Sequence, residues 1–314
     1  MTKILLVNHS LSKHCGIHSH GVRMGNILAQ SKIHEFIYCE ANSLEEFSKH
    51  VDKIDPNIVI YNYTSGVLGW AQLAHSKYKS LLHLALIHDV TPEDMVESNI
   101  GPFDFRIALD PTLKESDKWF TTVRPLFGYT ASSCAINKIP TIGSFGFYFR
   151  HKNFNKIIEN VSNEFTEAIV NIHLTKAKFS TDATKREMDM FIEWAHSVVK
   201  NTGISLNITS NYITDKGVID FLSNNDVNIL EYSGNYGSGP SSAIDYCVAA
   251  GRAIMISGSY QFRHVYGLLP ETQKVSISEA IGRGNKEVLK LQDEWSEDNY
   301  RKDYERIIYE VQNR

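Results

Sequence analysis

The sequence lacks an apolar run long enough to cross a membrane. A spanning helix needs about 20 consecutive apolar residues, and none of the 314 residues lies in such a run. The first apolar stretch, Ile4 to Val7, is followed at once by the polar residues Asn8, His9 and Ser10, unlike a secretory signal. We therefore expect a protein without a transmembrane segment, located in the cytoplasm.

Cysteine, proline and positive charge are also scarce. The four cysteines form no CxxC pair, which favours free thiols over disulfides. The formal net charge of −4 gives no electrostatic reason to expect a nucleic-acid backbone as the main partner, although a local basic groove remains compatible with it. The composition, 42% hydrophobic and 22% charged with 8 prolines, is that of a globular protein, and 314 residues suffice for two domains.

Short apolar runs alternate with helical patterns along almost the whole chain. This alternation predicts βα units and parallel sheets, hence an α/β protein. In the first half the predicted strands are Lys3–Val7, Glu35–Cys39, Asn57–Tyr61, His83–Ile87 and Arg106–Leu109, and the predicted helices include Gly21–Gln30 and Leu44–Val51.

The alternation is interrupted at 124–138 and then resumes. The predicted strands of the second half are Thr141–Phe145, Ala168–His173, Ser205–Thr209, Asn228–Tyr232 and Ala253–Ile256. A helical stripe over Lys286–Gln312 predicts one long final helix. We therefore predict an N-terminal Rossmann-like domain at 1–138, a second one at 139–285 and a C-terminal helix at 286–314. The two domains are expected to face each other across a cleft, with the last helix crossing back to the first domain.

Ligands of doubly wound sheets bind beyond the carboxyl ends of the strands. The first such loop, from His14 to Gly21, holds Gly16 and two further histidines, His18 and His20. Glycines there let backbone N–H groups approach an anion at a helix N-terminus. The loop is predicted to contact a diphosphate through Gly16 and an acceptor through His18 and His20; the alternative is a tight turn with exposed histidines.

A metal site in this loop is the third interpretation. His14, Cys15, His18 and His20 carry suitable ligand atoms, but no carboxylate or second cysteine pair completes a known ligand spacing. We therefore predict no bound metal.

Two polar segments follow later strands. His88 ends the run Leu84–Ile87, where it would point into the cleft and organise a reacting centre; the alternative is a histidine satisfied by Asp89 or by backbone. Arg150 and Lys152 follow the glycine-containing turn of the second domain. Two cations at that place are suited to clamp a diphosphate.

The most informative segment is the glycine-rich loop after the strand at 228–232. It contains Gly237 and Gly239, and a helix is predicted to start at Pro240 or Ser241, with free N–H groups near Ser241 and Ser242. About one turn into that helix, Asp245 is placed to accept hydrogen bonds from ribose hydroxyls. The alternative is an ordinary capped helix.

These segments resemble the family-4-like retaining glycosyltransferases with the GT-B fold. The stretch from Gly143 to Asn153 is similar to the family's G-[RF]-x(4–6)-K-G turn, and the stretch from Tyr236 to Ile254 is similar to its E-G-F-G-L-x-x-x-E-A-M-A-x-G-x-P-V-I segment. The first glycine loop and His88 also fall where the family has its first loop and its N-domain histidine.

The resemblance implies a role for each matching residue. Lys152 would neutralise the donor diphosphate, and Asp245 would replace the glutamate that binds ribose. His88, our predicted catalytic residue, would lie near the donor sugar. The remaining donor-binding residues would be Gly16, Arg150, Gly237, Ser238, Gly239, Ser241 and Ser242.

The sequence departs from the family at two positions. The usual arginine, five residues before the lysine, is Phe147, so Arg150 would have to substitute for it. The family's first glutamate, which contacts the donor sugar, falls on Gly237. The chain is also shorter than most members of the family.

The leading hypothesis is a metal-independent, retaining glycosyltransferase without a cofactor, acting on a nucleotide-diphosphate sugar. Its acceptor would be a glycan, a lipid-linked glycan, a protein or a small molecule, with nucleic acid disfavoured by the charge. The alternatives are a degenerate GT-B domain that binds a nucleotide or a partner, and a nucleotide-dependent enzyme of another class such as an epimerase. A Rossmann oxidoreductase is disfavoured because the first turn lacks G-x-G-x-x-G.

Overall fold

A computed structural model describes residues 1–11, 15–96, 101–128, 130–131, 136–175, 181–200, 202–234 and 239–314. Their contacts divide them into two compact units. Unit 1 comprises Met1–Pro125 and Trp295–Arg314 together with Gly239 and Pro240, and unit 2 comprises the described parts of Leu126–Tyr236 and Ser241–Glu294. Over these described stretches, no helix has the length and apolar character to cross a membrane.

Unit 1 is built on six parallel strands in the order β2-β1-β3-β4-β5-β6. The strands are β1 (Lys3–Asn8), β2 (Glu35–Glu40), β3 (Ile58–Tyr63), β4 (Leu82–Ile87), β5 (Phe105–Ala108) and β6 (Trp119–Thr121). The intervening helices are α1 (Gly16–Leu28), α2 (Leu44–Ile54), α3 (Ser65–Leu68), α4 (Ala71–Lys77) and α5 (Pro92–Val96). Side chains on both faces of this sheet are buried, as expected where helices cover a parallel sheet on both sides.

Unit 2 contains five parallel strands in the order β11-β10-β7-β8-β9. They are β7 (Thr141–Phe147), β8 (Ala168–Thr175), β9 (Ile204–Thr209), β10 (Val227–Leu230) and β11 (Ala253–Ile256). The helices are α6 (Phe154–Glu164), α7 (Asp182–Val199), α8 (Asp215–Ser223), α9 (Ala243–Ala250), α10 (Ile277–Arg283) and α11 (Lys286–Glu294). Two sheets of this kind confirm the predicted α/β class with two Rossmann-like domains.

The single long C-terminal helix that we predicted is wrong. The segment forms α11 and then α12 (Glu297–Gln312), and the break falls at Ser296, whose side chain accepts the N–H of Asn299 as an N-cap. The helix α11 belongs to unit 2. The helix α12 packs into the core of unit 1 through Tyr300, Tyr304, Ile307, Ile308 and Val311. The predicted return of the last helix to the first domain is thereby confirmed.

A buried amide network supports the centre of the unit 2 sheet. Asn225 and Asn228 are both fully buried, and Asn225 Nδ2 donates to Asn228 Oδ1 over 2.9 Å. The neighbouring Asn171 donates to Asn225 Oδ1 at 2.9 Å. Gly143 of β7 faces these amides so closely that a Cβ would overlap the side-chain atoms of Asn225 and Asn228. Position 143 therefore has room only for a glycine.

Gly143→Ala is expected to lower the free energy of unfolding by about 3 kcal/mol, because it overpacks the core and breaks buried amide hydrogen bonds. Urea titration followed by circular dichroism measures the change. Gly282→Ala is the matched control. Gly282 lies in helix α10, and apart from the backbone of that helix a Cβ there would meet no atom of the described residues within 4 Å. An unfolding midpoint for Gly143→Ala equal to that of the control would contradict the prediction.

Candidate functional site

The carboxyl edge of the unit 1 sheet carries a cluster of hydrogen-bonded polar side chains. Asn8 ends β1, Glu40 ends β2, Asn62 lies in β3 and His88 follows β4, with His18 of α1 beside them. Asn62 donates to Asn8 Oδ1 at 2.9 Å, and His18 Nε2 lies 2.9 Å from Glu40 Oε1. We call these five residues the unit 1 polar cluster. Parallel neighbouring strands bring their ends together, which explains why residues far apart in sequence meet here.

Hydrogen bonds around Asn62 fix the tautomer of His88. Asn62 Nδ2 donates both to Asn8 Oδ1 and to the carbonyl of Ile17, at 2.9 and 2.7 Å. Its Oδ1 therefore faces His88 Nε2 at 2.7 Å and must accept a hydrogen bond from the N–H at that position. With the proton on Nε2, the neutral imidazole keeps a lone pair on Nδ1, which is able to accept a hydrogen bond from a ligand hydroxyl.

The surroundings also keep His88 neutral. Burial, followed by the positive charge of Arg124 and the proximity of His9, lowers the pKa of His88 to about 3. At neutral pH the imidazole is therefore uncharged. It is suited to accept hydrogen bonds and to orient a ligand rather than to offer positive charge.

Asn62→Asp is expected to raise the pKa of His88 by about 1 to 3 units, because a carboxylate at the position of Oδ1 favours the imidazolium. A histidine-resolved NMR titration measures this pKa. His83 is buried on β4, and its ring is hydrogen-bonded to Tyr61 and Tyr78 and not to Asn62. Its resonances therefore report whether unit 1 remains folded. Asn26→Asp, at an exposed position of α1, is the matched control, and an equal His88 pKa in both variants would contradict the prediction.

The predicted loop of His18 and His20 is replaced by helix. Helix α1 begins at Gly16, five residues before our predicted start, so both histidines lie within it and are buried. His18 bonds Glu40, and the His20 ring meets the His88 ring edge-on at 5.1 Å. We misplaced the start because Gly21 disfavours a helix interior. Glycine is nevertheless needed at this position of the helix, because a Cβ at 21 would lie 2.5 Å from Asn8 Nδ2.

Two predicted donor-binding glycines occupy different environments. Gly16 opens α1 at an exposed position, where a Cβ would meet no atom of the described residues within 4 Å. Gly239 is buried, and its N–H donates to Asp89 Oδ1 at 3.1 Å, while a Cβ would overlap the carbonyl of His88. Gly239 thus lies directly against the His88–Asp89 segment. The predicted residues Gly237 and Ser238 lie outside the described residues.

Unit 2 fixes Lys152 at the carboxyl end of β7. The ammonium Nζ lies 5.0 Å from the centre of the Tyr232 ring, and the side chain is half-buried. Gly146, at φ +143°, leaves the space that this ammonium occupies, since a Cβ would lie 2.6 Å from Nζ. Burial and the neighbouring Lys152 together lower the pKa of His151. Within the part of the chain that the structure describes, the cation is thus positioned by an aromatic face and a glycine, and no carboxylate pairs with it.

Arg150 is engaged elsewhere. Its guanidinium forms an ion pair with Glu187 of α7, with Nη2 to Oε1 at 2.9 Å, and the side chain is exposed. Lys152, by contrast, contacts Tyr232. The two predicted clamp cations therefore have different partners.

The predicted helix start at Pro240 or Ser241 is wrong by a few residues. Helix α9 begins at Ala243 because the Ser241 N–H donates to the Gln261 carbonyl at 2.9 Å, which holds Ser241 outside the helix. Ser242 is the N-cap and forms no side-chain cap hydrogen bond. Asp245 lies in the first turn as predicted, with 1% of its surface exposed.

Glu231 is a buried charged residue at the start of the glycine-rich segment, to which the sequence analysis assigned no role. It follows β10 directly, is 1% exposed, and accepts hydrogen bonds from Lys156 and Thr272. The signal in the sequence was its position, a carboxylate between an apolar strand and the glycine-rich loop. Its contacts show that it anchors the base of that loop to α6.

No family model matches the chain, and no curated protein sequence matches it. Solved structures do match over nearly the full length. Anabaena HepE in complex with UDP and glucose is similar at a TM-score of 0.68 and 11% identity, over 98% of this chain and 100% of HepE. The lipopolysaccharide outer core galactosyltransferase WaaB is similar at a TM-score of 0.60 and 11% identity, over 98% of this chain and 99% of WaaB. OtsA is similar at a TM-score of 0.67 and 8% identity, over 97% of this chain and 98% of OtsA.

At such low identity the similarity shows the fold alone. The chain has the GT-B fold of glycosyltransferases, which confirms the fold that the sequence resemblance implied.

Proposed function

We propose that this protein transfers a sugar from a nucleotide-diphosphate sugar to an acceptor, without a metal ion or another cofactor and with retention of the anomeric configuration. The observation that carries the proposal is Lys152, a cation held at the carboxyl end of β7 in a chain with the GT-B fold. Similar structures contain UDP or UDP-glucose, which supports a nucleotide sugar as the donor. Retention of configuration rests on the family resemblance.

In unit 2, Lys152 is the group that would neutralise the donor diphosphate. When the bond between the anomeric carbon and the diphosphate oxygen breaks, negative charge grows on the leaving diphosphate, and a positioned ammonium lowers the energy of that state. The N-terminus of α9, which begins directly after Ser241 and Ser242, adds a favourable dipole for an anion. Asp245 would accept hydrogen bonds from ribose, and Arg150 would assist only after leaving Glu187.

In unit 1, His88 is the group suited to orient a sugar. Its Nδ1 lone pair would accept a hydrogen bond from a hydroxyl, because Asn62 holds the proton on Nε2. Gly16 would let backbone approach the ligand, whereas Gly239, whose N–H donates to Asp89, would act by holding the His88–Asp89 segment in place. His18 and His20 would support the acceptor side from within α1. The acceptor oxygen would form the new bond to the anomeric carbon as the bond to the diphosphate oxygen breaks, and its proton would pass to the leaving diphosphate. We propose a glycan, a lipid-linked glycan, a protein or a small molecule as the acceptor. We also propose that the enzyme is cytoplasmic.

One sequence feature favours a second candidate function, a degenerate GT-B domain that binds a nucleotide or a partner without turnover. The family's first glutamate is replaced by Gly237. The nearby Glu231 offers no substitute, because it is buried and bonded to Lys156 and Thr272.

A thermal-shift screen of the purified chain against UDP, GDP, ADP, CMP and their sugars tests the proposal. We expect one nucleotide to raise the melting temperature, and Asp245→Ala to remove the rise. Lys290→Ala, which affects only an exposed pair with Glu287 on α11, should leave it intact. No shift with any nucleotide would contradict a donor site. A shift without donor hydrolysis or transfer would favour the binding protein.

A further inference from the structure

Unit 2 contains a concave site, formed by the segment after β7 and by helices α6 and α7. The cavity has a volume of about 300 Å³. Five of its seven lining residues are aromatic, and the other two are an arginine and an asparagine: Tyr148, Phe149, Phe154, Phe191, Trp194, Arg150 and Asn155. Neither Lys152 nor the α9 residues assigned to the donor line it. We call it the aromatic pocket.

The aromatic walls of this pocket are held in place from behind. Phe191 is buried and packs against Tyr148 at 5.6 Å and Trp194 at 5.9 Å between ring centres. Phe154 is also buried and belongs to the hydrophobic core of unit 2. Tyr148 and Trp194 are half-exposed, so parts of their rings remain available to a ligand.

The rim of the aromatic pocket is polar and carries both hydrogen-bond donors and acceptors. The guanidinium of Arg150 is paired with the carboxylate of Glu187, one turn before Phe191 on the same face of α7. Asn155, at the start of α6, is exposed and adds an amide. The pair has no net charge, so the rim offers hydrogen bonds without strong attraction for an anion.

We propose that the aromatic pocket binds one pyranose ring of a carbohydrate, as a site that shares only Arg150 with the residues assigned to the donor. A sugar ring presents apolar C–H faces, which aromatic walls accept, and an edge of hydroxyls that both donate and accept. The volume lies at the lower end for ligand sites, which fits a single ring rather than a nucleotide sugar. A phosphate group is disfavoured because Glu187 already neutralises Arg150.

Ligand-observed NMR and tryptophan emission test this proposal with methyl glucoside, methyl galactoside and N-acetylglucosamine as probes. We expect at least one probe to bind with a Kd of about 1 to 10 mM, as ligand efficiency predicts for one ring. Asn155→Ala and Glu187→Gln are expected to weaken binding about 3- to 10-fold each. Asn155 is exposed, and Glu187 is partly exposed and reaches the pocket only through its pair with Arg150, so the variants are expected to fold, which the melting temperature checks.

The controls separate this pocket from any other sugar site. Lys152→Ala and His88→Asn should leave the Kd of the probe unchanged, and saturating UDP should not displace it. Trp194 is the one tryptophan of unit 2, so Trp194→Phe should remove the emission change while the NMR signal persists. Absence of binding for all probes would overturn the proposal. So would loss of binding in Lys152→Ala or His88→Asn together with retention in Asn155→Ala. Neither result bears on the nucleotide screen, so the two proposals fail independently.

Discussion

Lys152→Ala is expected to lower the rate of donor turnover about 10²- to 10³-fold, the loss typical when one positioned group that stabilises developing charge is removed. The ammonium lies over the Tyr232 ring and, among the described residues, pairs with no carboxylate, so its charge remains available to a diphosphate. The same substitution should remove the rise in melting temperature caused by the nucleotide. Release of nucleotide from a labelled sugar donor measures the rate.

Two further variants make this result specific. Lys152→Arg keeps the charge and should recover part of the rate, while Lys290→Ala removes an exposed lysine of the same unit and should retain the full rate. A Lys152→Ala protein as active as Lys290→Ala would exclude Lys152 from the reaction.

Acidification is expected to destabilise unit 1 strongly below pH 6.5. Burial lowers the pKa of His20 well below its usual value and lowers the pKa of His88 to about 3. The positive charge of Arg124 lowers both pKa values further, and the charge of Arg23 lowers that of His20. The unfolded chain takes up both protons near pH 6.5, whereas the folded chain does not. Stability is therefore fully present above pH 6.5 and is lost as the pH falls toward 3.

The size of this effect follows from linkage. For each histidine that stays neutral the cost approaches about 1.4 kcal/mol per pH unit well below 6.5. Because the unfolded imidazole is only half protonated at pH 6.5, two histidines cost about 2 kcal/mol between pH 6.5 and 5.5. Urea titrations at both pH values, followed by tryptophan emission, measure it, since Trp70, Trp119 and Trp295 belong to unit 1. His88→Asn should reduce the pH dependence, and His196→Asn, at an exposed position of α7, should not. Equal dependence in both variants would contradict the assignment.

The alternation of apolar runs and helical patterns was enough to predict the fold class and most strands. The errors have local physical causes. Gly21 made the start of α1 look like a turn, because the space taken by the Asn8 amide is visible only in three dimensions. The break before α12 depends on the cap at Ser296, which an uninterrupted helical stripe conceals. Strand β6 has only three residues, too few to show a pattern.

The candidate site was less predictable because its contacts join distant residues. The hydrogen bond between His88 and Asn62 depends on which strands are neighbours, and the sequence alone does not determine strand order. The pairing of Arg150 with Glu187 spans 37 residues and links a turn to a helix face. The types of residue at the strand ends were predictable, whereas their partners were not.

The packing of α12 into unit 1 has a consequence for how the chain folds during synthesis. The core of unit 1 takes five side chains from α12, so it stays incomplete until the ribosome has released residues 300–311. Unit 2 needs no residue beyond Glu294 and is complete earlier. The half that is translated first is therefore finished last. Until then the nascent chain exposes the apolar side of β1, β3 and α1, the kind of surface that chaperones bind.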